Sequence, residues 1–240
     1  MDVGPLDYLV AAAAVLVGST VQGSIGFGVN LLAAPFVALV VPEALPATLV
    51  LVAFPLAVTT VVREHHALDR PLLPWMLIGA VPGTVIGLAI VTAVGISQLA
   101  IMVGAITLLG VLLSVTSPPI PVNPATVTGA CFVSNVFGTA AAVGGPPVAM
   151  LLQHYSGPGA RATLGAFFTA SAALSLIGYP IVGAMTVDQV LFALALAPAM
   201  LTGLWASKHL HPFVDAGWLR PAVLTLSALA GTTAIVRGLT

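Results

Sequence analysis

Residues 18–30 read Gly18-Ser-Thr-Val-Gln-Gly-Ser-Ile-Gly-Phe-Gly-Val-Asn30, inside a run from Tyr8 to Val40 of 33 residues without Asp, Glu, Lys or Arg. A run of that length is too long for one bilayer crossing and too apolar for a water-facing surface. Gly18, Gly23, Gly26 and Gly28 break it in the middle. Glycines let the backbone leave the helix, and N–H groups opened at membrane depth are tolerated only where protein covers them or where they line a cavity. A half-helix N-terminus facing such a cavity offers partial positive charge to an anion without a permanent cation. The stretch therefore predicts a helix–turn–helix hairpin over 8–40, re-entrant or short-armed, with arms of about 16 residues, roughly 25 Å each. Its candidate substrate-binding residues are Gln22, Gly23, Gly26, Phe27, Gly28 and Asn30. The competing reading makes the glycines close-packing positions between helices.

The rest of the chain has the same character. Of 240 residues, 59% are hydrophobic and 5% charged, and the mean hydropathy is +1.15. A soluble domain carries about 25% charged residues, so a soluble enzyme is excluded. Six cations spread over the whole length cannot form a phosphate-binding surface, which excludes nucleic acid as a partner. Cys131 is the single cysteine and reads as a small buried hydrophobe, not part of a disulfide or a thiolate metal cluster. Two acids and no Lys or Arg in the first eight residues argue against a cleaved signal peptide.

Six segments of 18 to 20 residues have the length of one crossing: 44–62, 72–91, 98–115, 164–182, 189–207 and 218–236. A second uncharged stretch, 124–155, is again split by glycine and reads as a second hairpin. Pro82-Gly-Thr-Val-Ile-Gly-Leu88 matches Pro198-Ala-Met-Leu-Thr-Gly-Leu204 at an offset of 116, Gly28 maps to Gly144 at the same offset, and Ala47-Thr48 maps to Ala162-Thr163 at 115. The pattern predicts an all-α polytopic membrane protein of two inverted repeats, 1–120 and 121–240, each a hairpin plus three transmembrane helices. If both hairpins cross an even number of times, Arg63, Arg70, Arg161, Lys208 and Arg220 share the cytoplasmic side and Arg237 lies outside. If each were a single crossing, the cations would divide three and three. The positive-inside rule favours the first arrangement. It puts the N-terminus and the loops 42–46 and 183–188 outside, and the loop 116–123 inside.

In the second hairpin, Ser134-Asn-Val-Phe-Gly-Thr-Ala-Ala-Ala-Val-Gly-Gly-Pro-Pro147 places a turn at Gly144-Gly145, because two prolines open a helix without losing a needed hydrogen bond. Ser134, Asn135 and Thr139 lie on the incoming arm, the last two on one face. With Gly144 and Gly145 they complete the candidate site from this half. Arg161, after Gly157-Pro-Gly159, is placed at the cytoplasmic mouth of the cavity, where it either draws anions in or anchors the topology. Arg63 and Arg70 read as loop anchors paired with Glu64 and Asp69.

Gln22-Gly-Ser-Ile-Gly-Phe-Gly28 followed by Pro35, the loop Arg63-Glu-His-His-Ala-Leu-Asp-Arg70, the Pro82-Gly-x-x-x-Gly87 element and their second-half echoes resemble the TauE/SafE sulfite exporter family over essentially the whole chain. The resemblance implies a duplicated transporter that exports sulfite, or an organosulfonate such as sulfoacetate, across the bacterial inner membrane. Thr139 to Ala142 depart from the family pattern, where more glycine is common.

Catalysis has no support in the residues. His65-His66 and His209-x-His211 lack the i, i+4 spacing of a helical metal pair, and no span holds a carboxylate pair or a Gly-x-Ser-x-Gly elbow. No cofactor or metal is expected. The expected partners are a small anion and the lipid bilayer; a homodimer fits the class, although no residue argues for it. An anion channel and a non-transporting membrane scaffold would have the same composition.

Overall fold

The computed structural model describes residues 1, 3–116, 120–153, 155, 157–215 and 219–239, with side chains left aside over 209–222. Its regular structure is helical throughout, with no strand among the described residues: α1 (Pro5–Ile25), α2 (Val29–Val40), α3 (Ala47–Glu64), α4 (Leu73–Ala93), α5 (Ile96–Thr116), α6 (Pro124–Ala141), α7 (Gly145–Leu151), α8 (Gly157–Ile181), α9 (Val187–Asp215) and α10 (Leu219–Leu239). Among the described residues six helical stretches are long and apolar enough to cross a membrane, and the chain is a multi-pass membrane protein. They are Pro5–Ile25, Ala47–Ala67, Arg70–Ala93, Ile96–Thr116, Gly157–Ile181 and Val187–Lys208. This set differs from the six segments expected. α1 enters it, since its 21 residues continue through Gly18 and Gly23, while the last expected span, 218–236, falls on α10 (Leu219–Leu239), whose side chains are described only from 223. The start expected for the last span, Trp218, lies outside the described residues.

Helix starts follow local chemistry. Asn123 Oδ1 accepts from the N–H groups of Ala125 and Thr126, each at 3.0 Å, and Thr126 Oγ1 accepts from Asn123 N–H at 3.0 Å, capping α6 just before Pro124. Both hairpins have unequal arms, 21 and 12 residues in the first, 18 and 7 in the second, not the two arms of about 16 expected. The physical reason is that Gly18 and Gly23 are packing positions inside α1. A Cβ on Gly18 would meet Val29 O of α2 at 2.6 Å, and one on Gly23 would collide with Ser207 of α9.

Small residues set the crossings, as they do between membrane helices. α4 packs parallel to α6, with Gly83 against Phe132 and Gly87 against Thr139; a Cβ on either would sit 2.6 Å from its neighbour. α1 packs parallel to α9, from Tyr8, whose hydroxyl donates to Ala195 O at 2.9 Å, down to Gly23 against Ser207. α3 runs antiparallel to α8 and α5 antiparallel to α10. α8 also packs on α4, and α9 on α3. Apolar side chains such as Ile78, Val85, Leu194, Leu201 and Leu229 point outward, as lipid contact requires.

The two ends of the bundle differ in charge. One end carries the Met1 ammonium on Asp188 at 2.5 Å, Glu43, whose carbonyl accepts from Gln189 Nε2 at 2.8 Å, and Arg237 on Leu39 O. The other carries Arg63, Glu64, Asp69 and Arg161. There the loop 65–72 docks on the start of α8: Asp69 N–H donates to Thr163 Oγ1 at 3.2 Å, and Tyr155 donates to Asp69 at 2.6 Å. The Asp69 carboxylate and partial burial push the Tyr155 phenol up to about 12. The His65 and His66 rings lie against each other just after α3, centroids 3.7 Å apart and planes tilted by 41°; His209 and His211 fall among residues whose side chains are not described.

Candidate substrate-binding site

The two hairpin turns meet. Gly26 (φ +92°) and Gly28 (φ +120°) both adopt left-handed backbone conformations that L side chains rarely take, and Phe27 between them packs on Gly145 of the second turn, 3.0 Å from where a Cβ would stand. Beside this contact lies a partly open cavity. Gln22 of α1, Phe27, Gly28 and the first turn of α2 line one part of it. Gly138 and the second turn, Ala142 to Gly145, line another. Val50 and Ala53 of α3 and Phe168, Ser171, Ala172 and Ser175 of α8 close the remainder.

In the first hairpin, Gln22 is 5% exposed, and its Oε1 accepts from Val29 N–H at 3.2 Å. Val29 N–H is the first donor of α2, so Gln22 caps that helix from the preceding one. The next two donors, the N–H groups of Asn30 and Leu31, have no partner among the described residues, and neither has Gln22 Nε2. Three donors thus converge where α2 begins, at the positive end of a 12-residue helix. Asn30 Nδ2 donates to Leu49 O at 3.3 Å.

The second hairpin is built differently. Pro146 and Pro147 have no N–H, and Val148 N–H donates to Ser134 Oγ at 3.2 Å, so at the start of α7 Gly145 alone supplies a donor without a partner among the described residues. Ser134 is 1% exposed and also donates to Gly144 O; it staples the turn from behind the cavity wall. The left-handed residue of this turn is not at Gly144 (φ −97°) but at Ala142 (φ +61°). Ala142→Gly is expected to raise the thermal unfolding midpoint, by up to about 1 kcal/mol of stability, because a Cβ is unfavourable in that conformation. A lowered midpoint would contradict this account of the turn.

Asn135 and Thr139 share a face, as their spacing requires, but it turns toward α4 and α8. Asn135 is fully buried, with Nδ2 donating to Ala80 O at 2.7 Å and to Thr84 Oγ1, and with Oδ1 accepting from Ser171. Thr139 Oγ1 lies 2.7 Å from Ser175 Oγ, and Thr139 O accepts from the Tyr179 hydroxyl at 2.6 Å. Both residues support the serines that line the cavity and do not line it themselves. Ser171 and Ser175 were not among the residues singled out from sequence. Their only signal there is a pair of hydroxyls four apart on one span.

Gly23, Gly26 and Arg161 also stand outside the cavity lining. Arg161 packs on the first turn, its Cα 3.0 Å from where a Cβ on Gly26 would stand, and its Nε donates to both Glu64 oxygens at 2.9 and 3.0 Å. Arg63 joins them, donating to Glu64 at 3.1 Å and to Gly23 O near the end of α1 at 3.2 Å. The Glu64 and Arg161 side chains are 11% and 19% exposed. Glu64→Gln should therefore cost about 1–2 kcal/mol, between the values for a surface pair and for a buried one. Unfolding of the detergent-solubilised protein measures it, and an unchanged midpoint would contradict the anchoring role.

Compared with known protein families, residues 10–233 match the model described as Sulfite exporter TauE/SafE. The chain belongs to the TauE/SafE family. TauE/SafE proteins are membrane transporters rather than enzymes, so membership and the apolar helices agree on a membrane transport protein. Neither the curated proteins searched nor the solved structures searched gave a match. Within this TauE/SafE chain, the cavity gathers Gln22, Phe27, Gly28, Asn30, Gly144 and Gly145 of the residues singled out from sequence, and leaves Gly23, Gly26, Ser134, Asn135, Thr139 and Arg161 in supporting positions around it.

Proposed function

We propose that the protein exports a small sulfur-containing anion, sulfite or an organosulfonate, across the cell inner membrane by alternating access. The observation that carries this reading is the buried convergence of three uncommitted donors, the N–H groups of Asn30 and Leu31 and Gln22 Nε2, in a cavity where two broken hairpins meet. Donors at a helix start attract an anion, and a site without a permanent cation lets it leave again. The family supplies the sulfur chemistry.

Alternating access draws on the repeat. Exchanging α1 with α6, α3 with α8, α4 with α9 and α5 with α10 turns the α1–α9 packing into α6–α4, α3–α9 into α8–α4, and returns α3–α8 and α5–α10 to themselves. The partners in those last two pairs run antiparallel, as inverted repeats require. Two repeats, 1–120 and 121–240, would rock against each other around the hairpin turns. The end rich in Arg63 and Arg161 is assigned to the cytoplasm by the positive-inside rule, which puts the N-terminus outside.

Thermal stability of the purified protein against sulfite, sulfoacetate, taurine, sulfate, acetate and chloride at fixed ionic strength tests the binding claim. A saturable rise with a sulfur oxyanion, about 2.7 kcal/mol at a hundredfold excess over Kd, supports it. A flat panel contradicts it.

A further inference from the structure

Hydrogen-bond accounting around the cavity gives its walls opposite characters. Ala80 O can only accept, so the Asn135 atom facing it is Nδ2, and Asn135 Oδ1 must face Ser171. The Ser171 hydroxyl hydrogen is therefore committed to Asn135. Ser175 donates to Ser171 O at 3.0 Å, and Thr139, with no other acceptor among the described residues, gives its hydrogen to Ser175. Toward the cavity, Ser171 and Ser175 of α8 offer only lone pairs. At the start of α2 the same cavity offers donors, the N–H groups of Asn30 and Leu31 and the Nε2 of Gln22, a residue 5% exposed, none with a partner among the described residues; Asn30 Oδ1 beside them is a buried acceptor likewise without one. Among the described residues, no Asp, Glu, Lys, Arg or His lines the cavity. A helix start carries roughly half a positive charge, enough to offset part of one negative charge, and a second buried negative charge would be left without compensation.

We propose that this cavity selects singly charged sulfur oxyanions that carry a hydrogen-bond donor of their own, the oxyanion held at the start of α2 and its O–H or N–H given to Ser171 and Ser175. Hydrogensulfite is the smallest member of that class, and hydroxylated or amino sulfonates are larger ones. The proposal rests on the anion-site reading above and adds Ser171 as a specificity-determining residue.

The test is titration calorimetry of the full chain with ethanesulfonate and 2-hydroxyethanesulfonate, a pair equal in charge and differing by one hydroxyl, and with sulfate as the dianion. The hydroxylated member should bind about tenfold more tightly than its partner, the difference one additional hydrogen bond makes, and sulfate should bind weakest. In Ser171→Ala the two sulfonates should come within about twofold of each other, through loss of affinity for the hydroxylated member. A loss of affinity for both alike would make Ser171 a structural support only and overturn its assignment. Ser175→Ala gives the same comparison with Asn135 left satisfied, should Ser171→Ala fail to fold. Equal wild-type affinities for the pair, or sulfate binding as tightly as 2-hydroxyethanesulfonate, would overturn the proposal while leaving the anion site standing. Binding of none of the three would remove the anion site itself.

Discussion

Gly79→Leu is expected to cost roughly 3 kcal/mol or more and to leave little folded protein, because an added side chain at the α4–α6 crossing has nowhere to go. A Cβ at Gly79 would collide with Thr128 O and lie 2.9 Å from Phe132 N, both backbone atoms of α6 that no rotamer change can move. Parting the helices would also pull Ala80 and Thr84 away from Asn135, opening the polar node behind the cavity. The control is Gly129→Leu, on the exposed face of α6 with nothing within 4 Å of an added Cβ. It should be neutral or stabilising, by up to about 1 kcal/mol of helix propensity. The yield of monodisperse protein and its unfolding midpoint in detergent measure both variants. Equal behaviour would mean that α4 and α6 do not cross as closely as described.

Gln22→Glu is expected to weaken anion binding by roughly a hundredfold or more, since it sets a negative charge among donors that await one, and like charges brought together cost several kcal/mol. Gln22→Leu, which keeps the bulk and removes the amide, should lose about tenfold, in line with one hydrogen bond. The fold should survive both substitutions better than Gly79→Leu, because Gln22 satisfies a single N–H, that of Val29. Titration with sulfite and 2-hydroxyethanesulfonate reads the effect. Unchanged affinity in both variants would remove Gln22 from the site.

The sequence marks the places where the helices break far better than it marks which way their faces turn. The dense glycines of 18–28 announce a hairpin, yet Gly18 and Gly23 look the same on paper as Gly26 and Gly28. Only the last two take positive φ, and the others let α2 and α9 approach α1. That distinction lies in contacts with residues far along the chain, so the arm lengths were not legible. The second turn was legible from Gly144-Gly145-Pro146-Pro147, but its left-handed residue is an alanine, which carries no such signal. Asn135 and Thr139 share one face, but in a helix buried among other helices nothing local says whether that polar face meets a cavity or a neighbouring helix. The polar face meets Ala80, Thr84, Ser171 and Ser175, and through Asn135 and Thr139 it positions the two serines that do reach the cavity. Arg161 was placed at the cytoplasmic mouth of the cavity. Its partner, Glu64, lies 97 positions away, and the pairing rests on the antiparallel packing of α3 and α8.

Uptake of radiolabelled sulfite into liposomes containing the purified protein, followed as a function of external concentration, tests the central claim most directly. The account predicts a flux that saturates, that is competed by an organosulfonate, and that Gln22→Glu abolishes while the variant still inserts and folds. A flux that grows linearly without saturation, or uptake no greater than into protein-free liposomes, would contradict it.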